Sequence, residues 1–151
     1  MSVPVEDHEE VIRLLFTDRM TSSVGELEKE AFPVDELIER NGKSVSVDRL
    51  LLLPDRECIK CKLITYENPP RGREKWGFAS GCVEYIRAIH SQEGMRVFEV
   101  YVDPIENHPP APWDPAHAKI VRADENFTKG FVRGYRDKLV EVFQGSVTQV
   151  F

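Results

Sequence analysis

The residue types best suited to chemistry crowd into one run, Tyr101 to Ala118, YVDPIENHPPAPWDPAHA. There two histidines, three acids and a tryptophan stand among five prolines in eighteen residues. His108 and His117, with Asp103, Glu106 and Asp114 nearby, supply the ligand types of a metal site or the acid and base of a hydrolytic one. His117 sits between Ala116 and Ala118, small neighbours that let the backbone pack closely while the imidazole bonds inward. The same setting suits a buried structural histidine that ties the loop to the core. His108 adjoins prolines and is expected at the surface. Proline fixes its own φ and restricts the residue before it, so the run reads as an ordered, extended connection presenting Trp113.

A second polar signature is Ser44-Val45-Ser46-Val47-Asp48-Arg49. On a strand, Ser44, Ser46 and Asp48 share one face, and Val45, Val47 and Arg49 the other. A carboxylate and a guanidinium at a strand end can line a pocket rim for a phosphate, a carboxylate or a partner's backbone; equally, they can pair with other charges and pin the fold. Arg87, inside the apolar VEYIRAI, needs a partner, and Asp48 or Asp103 is the expected one. His117, Asp48, Arg49 and Arg87 are thus the candidate catalytic set if the chain is an enzyme acting on a nucleotide or nucleic acid.

Cys58-Ile-Lys-Cys61 has the spacing that lets two thiolates reach one zinc ion, with Cys82 and a histidine to complete a tetrahedron. A second closely spaced pair is absent, and on a strand residues three apart face opposite ways. The expected role of these cysteines is therefore as buried small hydrophobes, with no metal and no cofactor. The sequence contains no P-loop, GxGxxG, GxSxG, HExxH or EF-hand pattern, so no enzyme class with a local fingerprint is indicated.

The elements that must position these residues follow from the totals. A chain of 151 residues has room for one sizeable core, expected as a single domain over 1–151. With 41% apolar and 30% charged residues it has an ordinary globular composition, and no apolar run approaches a membrane span. No secretory signal is read at the N-terminus, and an odd number of cysteines suits a reducing compartment, so a cytoplasmic protein is expected. The net charge of −6 is uneven: residues 1–40 hold eleven acids against four bases, while 41–151 hold fifteen against sixteen. An acidic surface argues against nucleic acid as the main partner, except through the local loop NPPRGREKWG with Arg71, Arg73, Lys75 and Trp76.

The expected fold is α+β: an acidic helical arm over 1–40, then an α+β body over 41–151 with a small antiparallel or mixed sheet and a C-terminal helix. Asp7 can cap a helix over 8–19. A Ser23 to Glu26 capping-box spacing opens a short helix that runs to Pro33, and VDELIER adds a turn. SVSVDRLLLL and CIKCKLITYE read as strands, SGCVEYIRAIH as a helix, and MRVFEVYV over 95–102 as a strand central in its sheet. AHAKIVR suits a short helix or strand, ENFTKGFVRGYRDKLVEVF closes with a helix, and GSVTQVF is a loose end or edge strand.

Ser46 to Arg49, SVDR, followed by an apolar strand, a D-P step and Pro115 to Ala118, PAHA, resembles small uncharacterised bacterial proteins that carry an SVDR and a proline-rich PAHA segment. The resemblance spans about residues 31–120, places Asp48, Arg49 and His117 in distinctive positions, and brings no activity with it. Where those proteins have an Asn before PAHA, this chain has Asp114. The expected function is a non-enzymatic interaction or regulatory module. It would bind a partner protein through the proline-rich loop and the acidic arm, with Trp113, His108, Trp76, Arg71 and Arg73 as contacts.

Overall fold

Apolar–polar alternation over 44–49 and near-continuous apolar runs over 11–16 and 97–102 both have strand character; the runs suit strands buried on both faces. The computed structural model joins them in one sheet. It describes residues 2–16, 20–22, 26–53, 55–65, 75–108 and 111–149; at 16, 56, 62–65, 75–76, 105–108 and 111–114 the backbone alone is described.

In chain order the elements are β1 (Val3–Pro4), β2 (Glu10–Phe16), α1 (Val34–Leu37), β3 (Val45–Arg49), α2 (Arg56–Thr65), β4 (Lys75–Cys82) and α3 (Val83–Arg87). There follow β5 (Phe98–Val102), β6 (Ile105–His108), β7 (Ala111–Asp114), β8 (His117–Arg122), α4 (Lys129–Arg133), α5 (Arg136–Gln144) and β9 (Val147–Gln149). Seven strands form a sheet in the order β1-β5-β8-β3-β2-β4-β9, every neighbouring pair antiparallel. β6 and β7 form a separate two-stranded ribbon. This is the expected α+β class.

One face of the sheet holds the main core. Val11 and Leu15 of β2, Val45 and Val47 of β3, and Ala118 and Ile120 of β8 pack with Phe32, Leu37, Val132, Leu139 and Phe143 from the helical side. The rings of Phe32 and Phe143 lie 5.0 Å apart. The other face carries a smaller cluster of Ile12, Leu14, Leu53, Ile59 and Ala116, roofed by α2.

Several expectations change. The segment 8–19, read as a helix, forms β2 over 10–16, because VIRLLF is apolar on both sides and lies between β3 and β4. The acidic segment 1–40 is thereby built into the sheet; its helical part is α1 and a 3-10 turn at Lys29–Ala31, and Ser23 lies outside the described residues. CIKCKLITYE is helical from Arg56 to Thr65. The Oδ1 of Asp55 accepts the Cys58 N–H at 2.9 Å, so Asp55 acts as a helix N-cap.

The strand expected over 44–53 runs only from Val45 to Arg49, and Leu50–Leu52 turn away. The helix over 80–90 shrinks to Val83–Arg87, because Ser80 to Cys82 continue β4. β5 is flanked by β1 and β8, one place from the edge, and the centre belongs to β3. The closing helix is divided into α4 and α5 at Gly134-Tyr135, and the tail is an edge strand on β4.

Candidate functional site

Strand alternation puts Ser46 and Asp48 on the face opposite to Val45 and Val47, as the sequence implies. On β8 it puts His117 on the face opposite to Ala118 and Ile120. Register then aligns the row. Ser80 faces Ile12, Ile12 faces Asp48, and Asp48 faces His117 across β4, β2, β3 and β8. Asp48 and His117 are both buried, at 4% and 5% exposure. His117 Nδ1 is 2.7 Å from the Asp103 carbonyl oxygen, with the Asp103 carboxylate at 3.4 Å. A carbonyl only accepts, so Nδ1 carries the hydrogen, and in the neutral ring Nε2 is left as the acceptor.

Arg49 and Arg87 do not join that row. Arg49 projects to the other face, where its Nε and a terminal nitrogen donate to the two Glu9 carboxylate oxygens at 2.8 and 2.9 Å. This hydrogen bonding, aided by the Glu6 amide, outweighs burial and holds the Glu9 carboxyl below its usual range. Arg87 bonds Glu99, Asp7 and the Val100 carbonyl, correcting the expectation of Asp48 or Asp103. Burial alone would push the Glu99 carboxyl up, but the Val100 amide, Arg87 and Arg96 bring it below the ordinary value.

The sequence reading missed Glu9, Asp7 and Glu99. For Asp7 and Glu9 the signal was the acid surplus of residues 1–40 beside a body with no such surplus; Glu99 lies in that body and had no such signal. Pairs Asp7–Arg87, Glu9–Arg49, Asp35–Lys129 and Glu39–Lys119 all join the two parts. Those four acids are engaged within the molecule.

The cysteines are less buried than expected. Cys61 is exposed, while Cys58 and Cys82 are half-buried. On α2, Cys58 and Cys61 share a helical face. Hydrogen bonding to Asp55 pushes the Cys58 thiol above its ordinary pKa, the reverse of what a thiolate ligand or nucleophile requires. Cys82 Sγ donates to the Asp7 carbonyl at 3.6 Å. Among the described residues, no three His, Cys, Asp or Glu side chains gather where they could hold a metal.

The proline-rich run forms the end of β5, the β6–β7 ribbon and the start of β8. Register sets Glu106 opposite Trp113 and His108 opposite Ala111. The ribbon is rooted where Asp103 N–H donates to His117 O at 3.0 Å and Arg49 N–H donates to Ala116 O at 2.8 Å. The same end of the sheet carries the exposed Leu51 and Leu52 and a pocket of about 480 Å³ lined by His8, Glu9, Glu10, Leu50, Leu51 and Cys82. Arg71 and Arg73 lie outside the described residues, as do the side chains of Trp76, His108 and Trp113. Among the described residues, no helix is long and apolar enough to cross a membrane.

No family model, no curated protein and no solved structure matches the chain.

Proposed function

We propose that the protein is a non-enzymatic interaction module of the bacterial cytoplasm that docks a partner protein on its β6–β7 ribbon. The observation that carries this reading is that β6 and β7 pair with each other and with no strand of the seven-stranded sheet. A two-stranded hairpin alone is marginal in water, and among the described residues no strand covers either of its outer edges, which leaves them as templates for another chain. Exposed Leu51 and Leu52 at the ribbon's end of the sheet add apolar contact area. Trp113 and His108 are the ribbon's expected anchors.

The test replaces residues 104–116 by Asn-Gly, a turn that closes β5 directly onto β8. Quantitative affinity capture with the full chain and with this variant should recover a partner that only the full chain retains. Recovery of the same proteins by both would overturn the reading, provided the variant keeps its circular dichroism spectrum.

One observation favours a second reading, acid–base chemistry on a nucleotide: the Asp103 carbonyl fixes the His117 tautomer with Nε2 as acceptor, and Asp48 stands opposite. Arg49 and Arg87 drop out of that set because acids of the same chain already hold them. In that case His117→Gln would abolish turnover with partner capture unchanged.

A further inference from the structure

Away from the ribbon, on the helical side of the sheet, α1 faces α4 and α5 across a pocket of about 340 Å³, within the range of small-molecule sites. Its walls are Pro33, Val34 and Asp35 on one side and Lys129, Arg133 and Arg136 on the other, with Glu30 at the rim. Lys129 and Arg133 stand four residues apart on α4, and Arg136 opens α5.

Elsewhere in this acidic protein Arg49, Arg87 and Lys119 are matched to carboxylates, and Arg13 and Arg122 donate to backbone carbonyls. Here the match is incomplete. Lys129 is 2.7 Å from Asp35, and Arg40 reaches the same carboxylate at 3.6 Å. Among the described residues, neither Arg133 nor Arg136 has an ion-pair partner, and Arg136 Nε is shielded from solvent with nothing to donate to. A shielded donor without an acceptor is rare in native proteins and marks a place where an ion or ligand completes the bonding.

We propose that this pocket binds a small phosphate monoester. Two unmatched guanidiniums beside an ammonium suit a dianion with three terminal oxygens, whereas a single carboxylate fills only one arginine fork. Pro33 and Val34 supply an apolar wall for the organic part of the ester. Asp35 is the internal competitor, holding Lys129 in the ligand's absence.

The test is calorimetric titration of the full chain with phenyl phosphate, inorganic phosphate and benzoate. Phenyl phosphate should bind one to one and more tightly than either of the others. Arg133→Gln and Arg136→Gln should each weaken it about tenfold or more. Asp35→Asn should tighten it severalfold by freeing Lys129, a gain that a merely structural role would not produce.

Arg133 is exposed, so its variant is expected to fold; if Arg136→Gln does not, Arg133→Gln and Asp35→Asn decide the matter. Absence of saturable binding would overturn the proposal, as would binding unchanged in Arg133→Gln or weakened in Asp35→Asn. Benzoate or inorganic phosphate binding as tightly as the ester would overturn the assignment of ligand class. Binding of a single-stranded oligonucleotide in preference to the ester would replace it with a nucleic-acid surface.

Discussion

Asp48 and His117, sixty-nine positions apart in the chain, stand directly opposite one another across the β3–β8 pair. Both are buried, on the sheet face that α2 roofs. Residues so paired have Cβ atoms about 5 Å apart. His117 also bonds Asp103, where the ribbon leaves the sheet, so the residue that faces Asp48 also holds the root of the proposed docking element.

His117→Ala should therefore destabilise the fold by about 1–3 kcal/mol, through the lost hydrogen bond and the space left in a buried site. Urea unfolding measures the stability, and amide exchange across Ile105–Asp114 should quicken. Unchanged stability and exchange would remove the anchoring role. Nitrogen-15 shifts of the ring test the tautomer independently, and a proton on Nε2 instead of Nδ1 in the neutral form would contradict the geometry.

Arg87→Met leaves Glu99, whose side chain is 12% exposed, with only Arg96 for a counter-ion among the described residues. The expected loss is about 3 kcal/mol, since removing one partner strands a mostly buried charge. Adding Glu99→Leu should recover much of it, and a double-mutant cycle on urea midpoints gives the coupling. Strictly additive losses would mean that the pair does not act together.

The Glu9–Arg49 pair predicts a pH dependence. Glu9 has a folded pKa below its ordinary 4.5, so its contribution is fully present above that value and is lost as pH falls through the depressed folded pKa. Wild type should exceed Glu9→Gln in stability at pH 6, and the gap should narrow below about pH 4.5 and close in stronger acid. Parallel stability curves down to pH 2 would contradict this.

Gly81 is required by close packing. A Cβ there would meet the Phe143 ring at 2.9 Å, in the middle of the main core. Gly81→Ala should cost about 1–3 kcal/mol, and Phe143→Leu should partly relieve it in the double variant. If Gly81→Ala is neutral in thermal unfolding, the ring is not confined as described.

Some features were legible from neighbours in the chain alone. Alternation over 44–49 set the faces of Asp48 and Arg49, and the setting of His117 between two alanines suited an inward-bonding ring. The last strand was legible as an edge. The helix over 56–65 was legible in principle, because Asp55 followed by Glu57 is a capped first turn. A strand reading of CIKCKLIT competed with it, and packing of Ile59 on Ile12 and Leu14 settled the matter.

The β2 segment was misread for a different reason. A run apolar on all sides suits a buried helix or a central strand equally, and only the presence of β3 and β4 on its flanks decides between them.

By itself, then, the amino-acid sequence determined the α+β class, the sidedness of its alternating strands and the location of the proline-rich segment. These depend on φ limits and on side-chain direction within a few residues. Tertiary structure alone decided which acid meets which base, that Asp48 faces His117, and that among the described residues Arg133 and Arg136 meet no carboxylate. Charge pairing and strand register act between segments far apart in the chain, and no local preference of either segment carries that information.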